Sequence, residues 1–344
     1  MNTRLTISTG MCLDSPGEES LYTQMGSNSS SPAFQAVYWK CLCVLFASSK
    51  RHNPDARHVV FTNAAGAPNE RNFDIQAILD RIGVETVKLP FTYAPPLDFY
   101  DRWRNTFYIF DIIRYFSQIA QDADQFVVND TDCIYIRSAD ALSEAIAKHH
   151  CLAYDVQYPH DKVINGHSRS SQIALYNELG LPVSGPVEHY GAEIFAVDTI
   201  ALRTMMPELD KLWQEMLARH AAGKPHFNTE EQFFSFLFAK LGYPPATANP
   251  LITRIWTGFK MNTAKLSDFD LTTWHMPNEK RYGISRLFEQ VRRPDSAFWQ
   301  VAPGRDFAHY VAKFLAVPSP TPTKILCDAI DRTKARLLPA GAAL

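Results

Sequence analysis

Residues 125–132, Gln125-Phe126-Val127-Val128-Asn129-Asp130-Thr131-Asp132, run from an apolar strand straight into two acids two positions apart. A strand that is apolar on both faces belongs in a parallel sheet covered by helices. The flanking sequence agrees. Thr106 to Gln121 has the length and apolar spacing of a long helix. Further back, Leu5 to Thr9 reads as a strand. Ser31-Pro32 supplies an N-cap and a first-turn proline for a helix over Ala33 to Ser49. His58 to Thr62 is a second strand, Phe73 to Ile82 a helix closed by Gly83, and Val84 to Leu89 a third strand stopped by Pro90. Downstream, Cys151 to Asp155 and Gly191 to Val197 read as strands, and Thr199 to Arg219 and Thr229 to Lys240 as helices. This alternation predicts an α/β protein: a mostly parallel, Rossmann-type mixed sheet flanked by helices.

Composition removes several classes. The chain has 344 residues, 46% of them hydrophobic and 20% charged, with 34 basic against 36 acidic side chains. A disordered chain carries fewer apolar residues and more net charge. Near-neutral charge leaves no basic footprint for nucleic acid. The most apolar run, Val37 to Ala47, is broken by Lys40 and is too short for a membrane span, and Met1 to Gly10 lacks the apolar core of a secretory signal. The six cysteines show no metal spacing, and Cys41 and Cys43 read as buried thiols. Asn129-Asp130-Thr131 is formally a glycosylation sequon, but a sugar there would cover the acids, which favours a reducing, cytoplasmic setting. Pro318 to Pro322 reads as a linker. Lys324 to Leu338 then reads as a basic amphipathic helix, which either packs on the domain or rests on an anionic membrane surface.

There is no glycine-rich dinucleotide loop, phosphate loop, His-Glu-x-x-His helix or Gly-x-Ser-x-Gly elbow. The well-placed chemistry is acidic and sits at the carboxyl end of a strand, where open parallel sheets bind ligands. In extended backbone, Asp130 and Asp132 project to one side and can face one ion. Oxygen-rich sites suit Mg²⁺ or Mn²⁺, which neutralise a diphosphate leaving group. Asp-x-Asp is also common in turns.

Three passages resemble nucleotide-sugar glycosyltransferases of the GT-A fold, most of all the glycogenin and lipopolysaccharide galactosyltransferase kind (family 8) or a divergent relative. The first is the helix around Asp111-Ile112-Ile113-Arg114-Tyr115-Phe116 followed by Asn129-Asp130-Thr131-Asp132. The second is Tyr190-Gly191-Ala192-Glu193-Ile194-Phe195-Ala196-Val197-Asp198, and the third Trp274-His275-Met276-Pro277-Asn278-Glu279-Lys280. Together they span roughly residues 1–285. The resemblance implies a GT-A-like domain over 1–317, with a nucleotide-binding half near 1–135, an acceptor-side half near 136–317 and an appendage over 318–344. It implies Asp130, Asp132 and His275 on Mn²⁺ or Mg²⁺, and a lysine on the diphosphate. The family's lysine position is occupied here by Arg281, with Lys280 directly before it, so both are candidates.

Other expectations follow with their plain alternatives. Arg114 either contacts donor sugar or phosphate or pairs with Asp111. Glu193 follows two small residues that admit a ligand, and is a candidate catalytic carboxylate that binds acceptor or donor hydroxyls or serves as general base, or it sits on a solvent face of its strand. Glu230 and Glu231 open a helix behind Asn228 as N-cap; they are candidate catalytic acids or simply dipole partners. Thr9 and Asn63, at strand ends, stand where base and ribose would be held, and Tyr100 to Trp103 can stack on base or sugar. The implied activity is transfer of a sugar from a nucleotide-diphosphate donor, a UDP-sugar first, to a glycan, lipid-linked or small-molecule acceptor. Inverting and retaining routes both stay open. The rival readings are a nucleotidyltransferase and a non-catalytic nucleotide-sugar-binding protein.

Overall fold

Strand β1 (Leu5–Met11) lies inside the main sheet, with β2 (Arg57–Thr62) on one side and β6 (Gln125–Asn129) on the other, both parallel to it. The computed structural model describes residues 4–20, 22, 28–70, 73–258, 261–320, 322, 324–326 and 329. Between β1 and β2 runs α1 (Pro32–His52), with Pro32 in its first turn and the Ser31 hydroxyl accepting the Phe34 N–H at 3.3 Å. Cys41 through Ser49 are all fully buried, which explains why α1 is apolar on nearly every face. After a short antiparallel pair, β3 (Asn69–Glu70) and β4 (Phe73–Asp74), comes α2 (Ile75–Ile82), ended by Gly83 at φ 81°. A side chain would strain that backbone, so the glycine stop expected from sequence is physically required. β5 (Glu85–Lys88) forms the sheet edge beside β2.

The helix expected over 106–121 is a 3-10 turn (Arg104–Phe107) leading into α3 (Tyr108–Ile119). Beyond β6 the chain leaves the main sheet for β7 (Cys133–Tyr135), then returns through α4 (Asp140–His149) to β8 (Cys151–Asp155). After α5 (Ile173–Glu178), β9 (Tyr190–Asp198) inserts antiparallel between β6 and β8, so the main sheet has the order β5-β2-β1-β6-β9-β8. The expected mostly parallel sheet flanked by helices is present. α6 (Thr199–Ala221) and α7 (Glu230–Leu241) pack on one side with α3, around an aromatic core that includes Phe110, Trp213, Phe233 and Phe234.

What sequence periodicity left unassigned is a second sheet of three-residue strands. β10 (Ile252–Arg254), then the hairpin β11 (Thr257–Gly258) and β12 (Met261–Asn262), precede β13 (Thr273–His275). β13 pairs with β10 in parallel and with β7 in antiparallel fashion. Strands this short carry too few residues to show an alternation. Helices α8 (Gly283–Val291), α9 (Ala297–Gln300) and α10 (Arg305–Ala312) complete the layer around α1 and bury Trp274 completely.

The five described cysteines are free thiols. No helix among the described residues is long and apolar enough to cross a membrane. The expected C-terminal helix, Lys324 to Leu338, lies mostly outside the described residues; within it Lys324 is buried, with Nζ 3.7 Å from Glu279 Oε1.

Candidate active site

The turn after β6 does not have the geometry expected of it. Asp130 to Cys133 form a turn closed by the Cys133 N–H on the Asp130 carbonyl at 3.1 Å, rather than extended backbone. The chain must turn there because β6 belongs to the main sheet and β7 to the small one. The two carboxylates nevertheless converge, and β13 supplies the third group. His275 pairs with Cys133 across the small sheet, and the Met276 N–H reaches the Asp132 carbonyl at 3.1 Å. That register brings His275 Nε2 to 3.3 Å from Asp130 Oδ2 and 3.2 Å from Asp132 Oδ2. Among the described residues these three make the one cluster able to hold a metal ion, with ligand atoms within 4.8 Å of one another.

The spacing suits an ion. Adjacent ligands of an octahedral ion, each about 2.1 Å from it, stand roughly 3 Å apart. Two carboxylate oxygens and one imidazole nitrogen form a donor set that Mn²⁺ and Mg²⁺ accept. Asp132 is almost wholly buried and binds the Lys280 ammonium. Burial works against its charge, but Lys280 and then His275 outweigh this and hold its acid constant well below the usual carboxylate range. Asp130 is half exposed by area yet enclosed by cavity walls, and that desolvation raises it to about 6. His275, despite burial, is raised to about 9 by Asp132 and its neighbours. Ligation at Nε2 therefore displaces a proton.

Asp130, Asp132, His275 and Lys280 line a cavity of about 310 Å³ that also takes in Thr9, Glu230 and Glu231. It opens where β1 and β6 end. One wall is aromatic: Tyr22 meets Trp103 edge-on at 4.7 Å and Phe34 stacks on Tyr38 at 4.8 Å. Of the Tyr100 to Trp103 group, Trp103 is the one on the cavity. The Thr9 hydroxyl donates to the Asn129 carbonyl at 2.7 Å, tying β1 to the acidic turn.

Several expected residues stand elsewhere. Asn63 lies off the cavity; its amide brackets the Leu13 backbone at 2.8 and 3.0 Å and so shapes the loop after β1. Arg114 is also off the cavity, 2.6 Å from Asp210 of α6 and stacked on Tyr93 at 4.3 Å. Its expected partner Asp111 instead accepts the Thr92 and Tyr93 N–H groups. Asn228 does not cap α7: Thr229 holds the N-cap position, and the Asn228 amide donates to the Asn165 carbonyl at 3.0 Å. Glu193 is neither on a solvent face nor on the cavity; it is completely buried behind the cavity wall. Arg281 is exposed and off the cavity. For a nucleoside diphosphate seated in this cavity, Lys280→Met should weaken binding by roughly tenfold to a hundredfold, the worth of one charged hydrogen bond. Arg281→Ala should weaken it far less. Calorimetric titration of UDP with Mn²⁺ into both variants checks this, and equal losses would contradict the assignment.

Arg254 gave no sequence signal, because Ile252-Thr253-Arg254-Ile255 belongs to no motif and is too short to show a period. Pairing of β10 with β13 sets it beside His275. Its guanidinium bonds Glu193, then Glu231 at 3.1 Å and the Tyr158 hydroxyl at 3.2 Å. Glu231 also faces His189 at 3.2 Å. Against burial, the His189 contact and Arg254 pull Glu231 down to about 2. Glu230, one residue away, bonds the Thr106 hydroxyl and is pushed up to about 8 by burial and by the Glu231 charge.

By structure the chain is similar to the galactosyltransferase LgtC. Two solved forms, an active-site mutant and a complex with donor and acceptor sugar analogues, each align at 12% identity with a TM-score of 0.49. The alignments cover 83% of this chain and 95% and 94% of theirs. No protein-family profile and no curated protein matches the sequence.

The separation between Glu230 and Glu231 has a consequence for stability. Glu230 ionises near 4.3 when unfolded and only near 8 when folded. Its contribution is thus full at acidic pH and is lost as the pH rises toward 8, at about 1.4 kcal/mol per unit. Glu230→Gln should flatten this fall by a few kcal/mol. Urea unfolding of both proteins at about pH 5 and about pH 8 measures it; parallel pH dependences would show that Glu230 ionises normally.

Proposed function

We propose that the protein is a metal-assisted GT-A-type glycosyltransferase that moves a sugar from a nucleotide-diphosphate sugar, a UDP-sugar first, to an acceptor hydroxyl. The observation that carries this reading is the convergence of Asp130, Asp132 and His275 with Lys280 in one cavity that also holds Glu230 and Glu231. Asp130, Asp132 and His275 would hold Mn²⁺ or Mg²⁺, which supplies a Lewis acid for the departing diphosphate. Lys280 places a fixed ammonium where charge develops on that leaving group. The aromatic wall of Tyr22, Phe34, Tyr38 and Trp103 offers a face for the base.

Glu230 and Glu231 divide the acceptor-side work. Glu231 stays ionised because Arg254 and His189 hold it, and it orients a hydroxyl. Glu230, raised toward the working pH, is the group suited to take or give the acceptor proton. We place the donor half in residues 1–135 and the acceptor half in 136–317. A reducing, cytoplasmic setting accords with the free thiols and with the buried Asn129 amide, which accepts the Tyr135 hydroxyl.

The test is thermal unfolding with UDP, GDP, CMP and CDP, each with Mn²⁺ and with EDTA. A ligand at a hundred times its dissociation constant stabilises by about 2.7 kcal/mol. A metal-dependent rise with one nucleoside diphosphate, followed by release of that nucleotide from its sugar conjugate, supports the reading and names the donor class. No rise under any condition overturns it. A rise indifferent to metal, without nucleotide release, leaves a binding protein.

A further inference from the structure

Glu193 has no access to the cavity, yet it is the residue most closely enclosed by the site's own groups. Its carboxylate is completely buried, with Oε1 bonded to Arg254 Nε and 3.6 Å from His275 Nδ1. That distance is just beyond a hydrogen bond. Glu193 Oε2 and His275 Nδ1 are both buried without a hydrogen-bond partner. A buried ring nitrogen left unpaired is costly, and the acceptor standing nearest to Nδ1 is Glu193 Oε1.

Three features hold the carboxylate in place. Arg254 and His275 are paired neighbours in the small sheet, so the guanidinium and the imidazole meet Glu193 from adjacent strands. Arg254 itself is fixed at its far end by Glu231 and Tyr158. The third feature is Gly191, two residues before Glu193 on β9: a Cβ there would collide with Glu193 Oε2 and crowd Val156. Gly191 thus makes room for this chain's own carboxylate, while Ala192 lines the cavity.

We propose that Glu193 is a positioning residue for the metal: it accepts the Nδ1–H of His275, and so fixes the ring with Nε2 turned toward Asp130 and Asp132. Ligation uses the neutral ring at Nε2, which leaves the remaining ring proton on Nδ1, and the acceptor facing that proton is Glu193. A carboxylate behind a metal-bound histidine fixes its tautomer and raises its basicity, and its loss weakens metal binding roughly 10–100-fold. The inference rests on the metal-site reading above and adds to it a residue that touches neither ion nor substrate.

The experiment is a titration of Mn²⁺ into the full chain, with the free aquo ion read by electron paramagnetic resonance. Wild type, Glu193→Gln, Gly191→Ala and Asp132→Ala are compared, with UDP affinity measured in EDTA as a second readout. Glu193→Gln should weaken Mn²⁺ binding roughly 10–100-fold. Gly191→Ala keeps every charge and displaces the carboxylate, so it should weaken Mn²⁺ binding in the same direction. UDP affinity in EDTA should not change in either variant, and the nitrogen coupling of His275 to bound Mn²⁺ should be altered in both. If both variants unfold cooperatively and bind Mn²⁺ as wild type does while Asp132→Ala does not, the inference fails and the metal site stands. If wild type does not bind Mn²⁺, both fall. Should Glu193→Gln not fold, Gly191→Ala decides. Equal losses of Mn²⁺ and of metal-free UDP binding would mark a merely structural role and overturn the proposal.

Discussion

In Asp132→Ala the stabilisation given by UDP together with Mn²⁺ is expected to vanish, and the ligand-free protein is expected to lose about 3–5 kcal/mol. Both effects have one origin. The Asp132 carboxylate is buried between the Lys280 ammonium and the His275 ring, themselves buried, so its removal strips Lys280 of its counter-charge and leaves His275 only Asp130 and Glu193. Asp132→Asn keeps the volume and an acceptor for Lys280 while removing the charge. It should lose the ion to the same extent but less of the stability. The sign of the pH dependence follows from the depressed acid constant of Asp132. A carboxylate lowered by folding contributes stability above its unfolded value, about 3.9, and that stability is lost as the pH falls toward the folded value. The gap between wild type and Asp132→Ala should therefore be full at neutral pH and narrow in acid. Urea unfolding across that range, with thermal unfolding in Mn²⁺ and in EDTA, measures both halves. A metal-dependent shift that survives in Asp132→Ala would move the ion elsewhere.

Arg254→Met is expected to cost a comparable 3–5 kcal/mol, although the side chain lies outside every motif. Methionine fills much of the same volume, so the loss is electrostatic. Glu193 and Glu231 would remain buried without the guanidinium that bridges them. Wild-type Glu231, held near 2, contributes stability that is full at neutral pH and fades as the pH falls from its unfolded value, about 4.3, toward the folded one. Without Arg254 the buried carboxylates resist ionisation, so the variant's deficit should grow from about pH 5 to about pH 8. Adding Glu231→Gln to Arg254→Met should recover part of the loss, because one uncompensated charge is removed. A double mutant no more stable than Arg254→Met would show that the bridge to Glu231 is not where the energy lies.

Much of the scaffold was legible in the chain. α1 announces itself through Ser31-Pro32 and its apolar run, α2 through its spacing and Gly83, and β6 through the valines that end in acids. These are local signals, set by capping, backbone conformation and periodicity. The candidate site was legible where a motif is contiguous, as at Asp130 and Asp132, or where a family pattern spans a gap, as at His275 and Lys280. It was misread where the decisive partner is distant. Arg114 takes Asp210 from a helix ninety-six positions away, Asn63 closes on Leu13, and Glu193 turns from the solvent to Arg254.

The sequence by itself determined the class of sheet, the acids at its carboxyl edge and the kind of ion they suit, because strand alternation and residue chemistry are properties of neighbours. Only the tertiary structure decided which cations face those acids and which carboxylates lie behind the wall. Three-residue strands such as β7, β10 and β13 have no stability or signal of their own. Their pairing nonetheless sets Cys133, His275 and Arg254 in one row. Arg254 from that row, with His189, then holds Glu231 ionised against burial, while burial and the Glu231 charge raise Glu230 one residue away, since desolvation and charge act through space rather than along the chain.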